Sequence, residues 1–369
     1  MAFFPIMYLK IESDIITEAI DKKNYVAIDV LRQVSFAIRN GKHAVVINLK
    51  DIDELLKQKD LFSRYELASF DKIRRIYTQL ASLEAKMEVK AIVTFSKRTK
   101  RENNIIYINP NETKSFEYFE ETHLLTENLD DAFFFKFLVD YYQRKERIKA
   151  CMTCSYNLMG GGNTTGNVIE YEKKLQQHFV FSVADSDFHF QGDPHLGDTA
   201  KKIKDSLVDG PFNCDAYIMK QVCEVENLIP YECLNKNKNL KNHSIVTNTH
   251  KFDMSFFDMK DGVHIQYLYD DIGFNYWKNE LSNHVLANKF KPIDKARKNN
   301  NKNKFKKIYS EKVIIEGFGS HILAESLKIL PEILPLVKKE HLTPNQEYEW
   351  MEIGKHVFNW CCCYNKMTV

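Results

Sequence analysis

Apolar and polar positions along the chain switch between a period near two and a period near 3.6, and the switches mark elements. Short apolar runs bounded by turn residues predict strands at His43–Leu49 (after the turn signal Arg39-Asn40-Gly41), Lys90–Phe95 and Asn103–Asn109. The opening MAFFPIMYLK reads as a first buried strand, because no positive charge precedes its apolar stretch and no small-residue cleavage site follows. Between the strands, Leu55, Leu56, Leu61, Tyr65, Leu67, Ile73, Ile76 and Leu80 give Asp51–Met87 helical spacing.

Further on, His123–Thr126 is a short strand running into Glu127, and Asp130–Tyr142 is a Phe-rich helix expected in the core. Gly160-Gly161-Gly162 and a helix over Val168–Gln177 come next. A buried strand, Phe179–Ala184, stops at Asp185-Ser186-Asp187, and a short strand at Tyr217–Met219 precedes Cys223-Glu224-Val225-Glu226-Asn227. Such alternation predicts βα units around a largely parallel sheet, so the fold class is α/β. The tail from about 320 is helical, broken at Pro331 and Pro335, and a last helix spans Pro344–Cys361 with Trp350, Ile353, Phe358 and Trp360 as its packing side. The expected organisation is an N-terminal α/β domain (1–115), a central domain (116–290), a basic linker (291–312) and a C-terminal helical segment (313–369). No internal repeat is visible.

Composition narrows this picture. The chain has 369 residues, 44% apolar, with 52 basic and 50 acidic side chains. That excludes wholesale disorder and a globally supercharged nucleic-acid binder. No apolar run reaches the roughly 18 residues that cross a bilayer, and a cytosolic protein with reduced thiols is expected. Among eight cysteines, Cys151-Met-Thr-Cys154 is half a zinc site without a second half, and Cys361-Cys362-Cys363 cannot converge on one ion from a regular element.

The chemistry-bearing residues are carboxylates at predicted strand ends, where ligands bind in open parallel sheets. Glu127 ends one strand, and Asp185 and Asp187 end another. On an extended segment, Asp-x-Asp sends both carboxylates to one face about 7 Å apart. With Glu127 this makes a hard, all-oxygen site suited to Mg2+ or Mn2+. The alternative is an ordinary turn after a strand, where Asp is common.

Four segments taken in order resemble the Toprim domain. His123-Leu-Leu-Thr-Glu127-Asn-Leu-Asp-Asp131 resembles its first motif, and Phe179–Asp187 its second, with Gly160–Gly162 between them. Glu224-Val-Glu226-Asn227-Leu-Ile-Pro230 resembles the E-x-E-N-x-hydrophobic-Pro segment of Toprim nucleases of the OLD (overcoming lysogenization defect) group and related phage-defence proteins. Phe257–Gly262 resembles a later Lys-Gly segment. The resemblance covers roughly 120–275.

It implies a central Toprim-like parallel sheet and an Mg2+-dependent endonuclease. In this reading Glu127, Asp185 and Asp187 bind metal, Asp131 and Glu226 serve as second-metal or outer ligands, and Lys260 neutralises charge on the scissile phosphate. It further implies the toxic effector of an anti-phage (abortive infection) system, coupled to a partner ATPase or other subunit. Asn128 departs from the Gly usual after the glutamate, a position that often needs a permissive backbone. No G-x-x-x-x-G-K-S/T sequence occurs, so an ATPase half is absent from this sequence. The rival is a non-catalytic Toprim-like binding or regulatory subunit; a nucleotidyl or phosphate hydrolase is a third option.

Smaller signals have bland counterparts. The Gly160–Gly162 run is either a phosphate cradle or a flexible loop. His178, His189 and His195 are either ligands or polar loop side chains. Eight Lys or Arg within 291–307, and the cluster Lys97-Arg98-Thr99-Lys100-Arg101, are either solvated or phosphate grips. The grips would be Lys97, Arg98, Lys100, Arg101, Arg297, Lys298, Lys306 and Lys307.

Overall fold

A computed structural model describes residues 7–113, 115–148, 152–154, 157–159, 161–241, 243, 246, 253–282, 287–299, 304–306, 313–333, 335, 337 and 339–364. The first sheet begins with β1 (Tyr8–Ile11), which leads through α1 (Ser13–Ile20) and α2 (Tyr25–Asn40) to β2 (Ala44–Ile47). Helices α3 (Leu49–Leu55), α4 (Arg64–Arg75) and α5 (Tyr77–Glu84) cross to β3 (Lys90–Val93), followed by β4 (Lys100–Glu102) and β5 (Ile105–Ile108). The strand order is β2-β1-β3-β5-β4, parallel except for the antiparallel edge strand β4. All four residues of β2 are buried, as a strand covered on both faces requires. The stretch read as one helical region, 51–87, is three helices: a Ser63/Glu66 capping box starts α4, and Ile76 separates α4 from α5.

The chain then runs through β6 (His123–Leu125), α6 (Leu129–Lys145), β7 (Met152–Cys154), β8 (Asn157–Met159), α7 (Thr165–Leu175), β9 (Val180–Ala184), α8 (Asp198–Ser206), β10 (Cys214–Ile218) and α9 (Tyr231–Lys236), all of whose strands except β7 form the second sheet. Its order is β10-β9-β6-β8, all parallel, so the expected α/β class with parallel sheets holds. Successive β9 side chains point to opposite faces. Phe181 and Val183 join the main core, whereas Val180 and Ala184 pack with Ile169 of α7 and Ala200 and Ile203 of α8.

The chain continues through β11 (Gly262–His264), α10 (Asp271–Ser282), α11 (Ala287–Asn299), β12 (Val313–Glu316), α12 (Ile322–Leu327), α13 (Leu330–Ile333), α14 (Pro344–Cys361) and β13 (Cys362–Tyr364). A Thr343/Gln346 capping box and Pro344 start α14 where the sequence predicts. This helix lies along α6, with Phe134 and Tyr141 edge-on to Trp350 at 6.1 and 5.1 Å. A Cβ added to Gly354 would stand 2.5 Å from the Leu138 carbonyl oxygen, so only glycine permits this approach.

Two expected boundaries are corrected. Residues 291–299 belong to α11 instead of a linker, because Phe290 and Ile293 are buried on one helical face beside Arg297. Position 313 is not the start of a separate helical segment, since β12 pairs antiparallel with β11 and β13 with β7. One apolar core includes residues from Met7 to Cys362 and joins both parallel sheets. Cys214, Cys223, Cys233 and Cys361–Cys363 are buried; Cys151 lies outside the described residues. Among the described residues no helix is long and apolar enough to cross a membrane.

Candidate carboxylate metal centre

Three parallel strands deliver acids to one end of the central sheet. β6 runs into Glu127, β9 into Asp185-Ser186-Asp187, and β10 into the loop that holds Glu224 and Glu226. Asp185, Glu224 and Glu226 are buried, and one carboxylate oxygen from each lies within 4.8 Å of the others. Asp185 Oδ1 accepts the Val225 amide at 2.9 Å. Glu224 Oε1 accepts the Met259 amide at 2.8 Å, and its Oε2 lies 2.8 Å from Lys260 Nζ. The same ammonium is 3.4 Å from Glu226 Oε1, whereas Glu226 Oε2 is buried without a hydrogen-bond partner.

The loop carrying Lys260 is clamped from several sides. Asn227 accepts the Glu224 amide at 2.7 Å and donates its side-chain NH2 to the Met254 and Phe257 carbonyls, both at 2.6 Å. Asp258 Oδ1 accepts the Lys260 and Asp261 amides at 3.1 and 2.7 Å. Beyond β12, the Phe318 and Gly319 amides donate to the carbonyls of Met259 and Lys260 at 2.7 and 3.0 Å. From α14, Gln346 donates to the Asn227 carbonyl at 2.8 Å and Trp350 to that of Leu228 at 2.9 Å. Glu349 takes the Tyr217 hydroxyl and the Lys220 and Gln221 amides, each at 2.7 Å.

Burial and mutual repulsion hold these acids above their ordinary range. Burial, then Glu226, pushes Glu224 up to about 8. Asp185 is raised furthest by burial, then by Glu127, Glu226, Glu224 and Asp131. Burial also raises Glu226 and Glu127, the latter assisted by Asp187. For Lys260, burial works against the charge, but Glu224 and Glu226 outweigh it and the net shift is upward.

The expected residues do not all converge. Asp185 and Glu226 meet in the three-carboxylate group, with Lys260 on it. Asp187 is not one of the three, because the backbone leaves the extended conformation there (φ 56°), and the period-two placement of Asp-x-Asp ends with the strand. The Ser186 and Asp187 amides both donate to the Cys223 carbonyl at 3.0 Å, and a Cβ on Gly197 would stand 1.9 Å from Asp187 Oδ2. Asp131 caps α6, accepting the Asn128 amide at 2.7 Å, and burial lifts its carboxyl to about 7. Asn128 is extended (φ −131°), so the glycine usual at this place is not needed. Glu224 is the residue that sequence reasoning left without a role; its signal was the Glu-x-Glu spacing.

Other expectations resolve as follows. A Cβ on Gly161 would stand 2.1 Å from the Glu127 carbonyl oxygen, so this glycine permits close approach to the turn after β6. Gly160 lies outside the described residues. His189 stacks on Tyr267 with centroids 3.7 Å apart, His195 is 3.1 Å from Asp193, and His178 sits at the opposite end of the sheet.

Arg101 bridges to Asp215 at 2.7 Å. Arg297 takes the Leu268 and Asp270 carbonyls and Asp271, with Phe274 4.1 Å beneath it. Both are fixed by internal partners. Lys97 and Lys100 approach Glu102 at 3.6 and 2.6 Å, and Lys298 approaches Asp294 at 2.9 Å. Arg98 and Lys306 are exposed, and Lys307 lies outside the described residues.

Compared with known proteins, the chain matches no family model, no curated protein and no solved structure.

Proposed function

We propose that this chain is a divalent-metal-dependent nuclease of Toprim type that hydrolyses nucleic-acid phosphodiesters. The observation that carries the reading is the convergence of Asp185, Glu224 and Glu226 within 4.8 Å at the C-terminal ends of parallel strands, with Lys260 against them. The donor set fits a hard cation: all ligands are oxygens, Glu226 Oε2 is buried and unpartnered, and the crowded acids are stabilised by added positive charge. Asp185, Glu224 and Glu226 would hold Mg2+ or Mn2+, and Glu127 and Asp187 would border the site. The bound ion supplies a lowered pKa for water and charge stabilisation at phosphorus. Lys260, held against Glu224 and Glu226, would be placed to offer its ammonium to phosphate oxygens. The Glu127 carboxyl, which burial and then Asp187 raise above its ordinary range, is the group placed for proton transfer. The four-segment resemblance supports placing this activity in an anti-phage effector coupled to a partner subunit.

The test is incubation of the purified chain with DNA and RNA substrates in Mg2+, Mn2+ or chelator. Cleavage should require the cation and vanish in Asp185→Ala and Glu226→Gln while circular dichroism is unchanged. Full cleavage by both variants, or none by the wild type on any substrate, overturns the reading.

One observation favours the non-catalytic alternative. Lys260 already sits as an internal counter-cation on Glu224 and Glu226. A calorimetric titration showing no Mg2+ binding at millimolar concentration would select that binding or regulatory role.

A further inference from the structure

At the N-terminal edge of the same sheet, a second group of side chains is close-packed in ion-pair contact, with three of its polar atoms lacking a well-aligned hydrogen bond. His123 opens β6 opposite Val180, His178 lies two residues before Val180, and Glu172 reaches across from the last turn of α7. His123 Nδ1 is 3.3 Å from Glu172 Oε1 and His178 Nδ1 is 3.4 Å from Oε2, with the two rings stacked at 4.1 Å. These separations lie at the long end for a hydrogen bond. His123 Nδ1, His178 Nδ1 and Glu172 Oε2 are all buried without a hydrogen-bond partner. Glu172 is 3% exposed and His123 6%. Buried polar atoms left this way cost about 1–3 kcal/mol each unless something fills the gap between them.

What fits the gap is a small cation. One ligand atom from each residue lies within 4.8 Å of the other two. Zinc bonds of about 2.0–2.1 Å make the edge of a coordination tetrahedron about 3.3–3.4 Å, close to the separation of each Nδ1 from its nearer Glu172 oxygen, Oε1 for His123 and Oε2 for His178. The surroundings are fixed as well: Asn213 donates to the Glu172 and His178 carbonyls at 3.2 and 2.9 Å.

We propose that His123, Glu172 and His178 bind one Zn2+-type transition-metal ion through two Nδ1 atoms and the Glu172 carboxylate, water completing the coordination. Two imidazoles and one carboxylate form a borderline donor set that selects zinc over the hard ions suited to the all-carboxylate cluster. The ion would tie α7 to the starts of β6 and β9, at the edge remote from the carboxylate centre. No cysteine takes part. The assignment does not depend on nuclease activity.

The test uses the full chain, stripped with chelator and reloaded with Zn2+ or Co2+. Wild type and an Asp185→Asn/Glu226→Gln control should each retain one equivalent of zinc by mass spectrometry of metals. Both should give the intense visible absorption of tetrahedral Co2+. His178→Ala, at a partly exposed position, and Glu172→Gln should weaken binding by more than the ~10–100-fold that loss of a supporting contact costs, with circular dichroism unchanged. A wild type that binds no stoichiometric zinc, or zinc retained by both histidine-edge variants, overturns the proposal. Either result would leave these groups as a metal-free cluster of two imidazoles and one carboxylate.

Discussion

Two parallel sheets share one chain, and each has an aspartate just beyond the C-terminal end of a strand. Near the end of β1, Asp14 Oδ2 accepts the Thr94 hydroxyl and the Phe95 and Ser96 amides at 2.6, 2.9 and 3.0 Å, clasping β1 to the loop after β3. At the end of β9, Asp185 accepts one amide and meets Glu127, Glu224, Glu226 and Asp131. The positions are analogous and the environments opposite. One carboxylate gathers three donors on a single oxygen, and the other is surrounded by charges of its own sign. Strand-end placement therefore marks where a site is geometrically possible, and the neighbours decide whether an acid becomes a brace or a ligand.

The largest expected effect that sharpens this contrast is on cleavage. Asp185→Asn should lower the cation-dependent rate by about 10³-fold, the several kcal/mol a metal contributes, and should raise the melting temperature in chelator by relieving repulsion. Equal cleavage by Asp185→Asn and wild type would erase the distinction between the sheets. Next comes Gly161→Ala, whose Cβ would press on the Glu127 carbonyl. A displacement near 1 Å there should cost about 10²-fold in rate with the substrate Kd little changed.

Asp14→Ala should do the reverse. Losing the acceptor for two amides and a hydroxyl should destabilise by about 1–3 kcal/mol, read as a shift of a few degrees in melting temperature, with cleavage preserved.

The pH dependence of stability should run in opposite directions in the two regions. In the first sheet, burial depresses His43 to about 3, its Nδ1 accepting the Met7 amide at 2.9 Å. Between 6.5 and about 3 the unfolded chain binds a proton the folded chain refuses, so stability is lost as pH falls through that window. In the second, Glu224 rises from 4.5 to about 8 and Asp131 from 3.8 to about 7. There the folded chain keeps protons the unfolded chain has released, so stability declines as pH rises from about 4 to 8. In metal-free melting scans, His43→Gln should flatten the acid side and Glu224→Gln the alkaline side; added Mg2+ should also flatten the latter, and no change in either variant refutes the assignment. The smallest effect is at Lys298, where replacement by alanine should alter stability by under about 0.5 kcal/mol.

The alternation of strands and helices was legible from short apolar runs, and the carboxylates were legible because strand ends in parallel sheets are few. What was hidden depends on distant partners. Glu224 becomes a ligand candidate only when Asn227 and the chain beyond β12 hold Lys260 against it. Asp187 turns aside at a left-handed residue fastened to the Cys223 carbonyl. Arg101 looks like surface charge until the fold brings Asp215 to it across 114 positions. Strands of three residues, such as β8 and β13, are too short for any period to register.

The contacts of α14 carry a consequence for synthesis. The loop bearing Glu224 and Glu226 is held by Gln346 and Trp350, and the end of β10 by Glu349. A ribosome delivers the acidic residues well before the helix that fixes them, at about 5–20 residues per second. During that interval the nascent chain has its acids but lacks the brace that gathers them. The carboxylates are gathered only once α14 has emerged and packed against their loop.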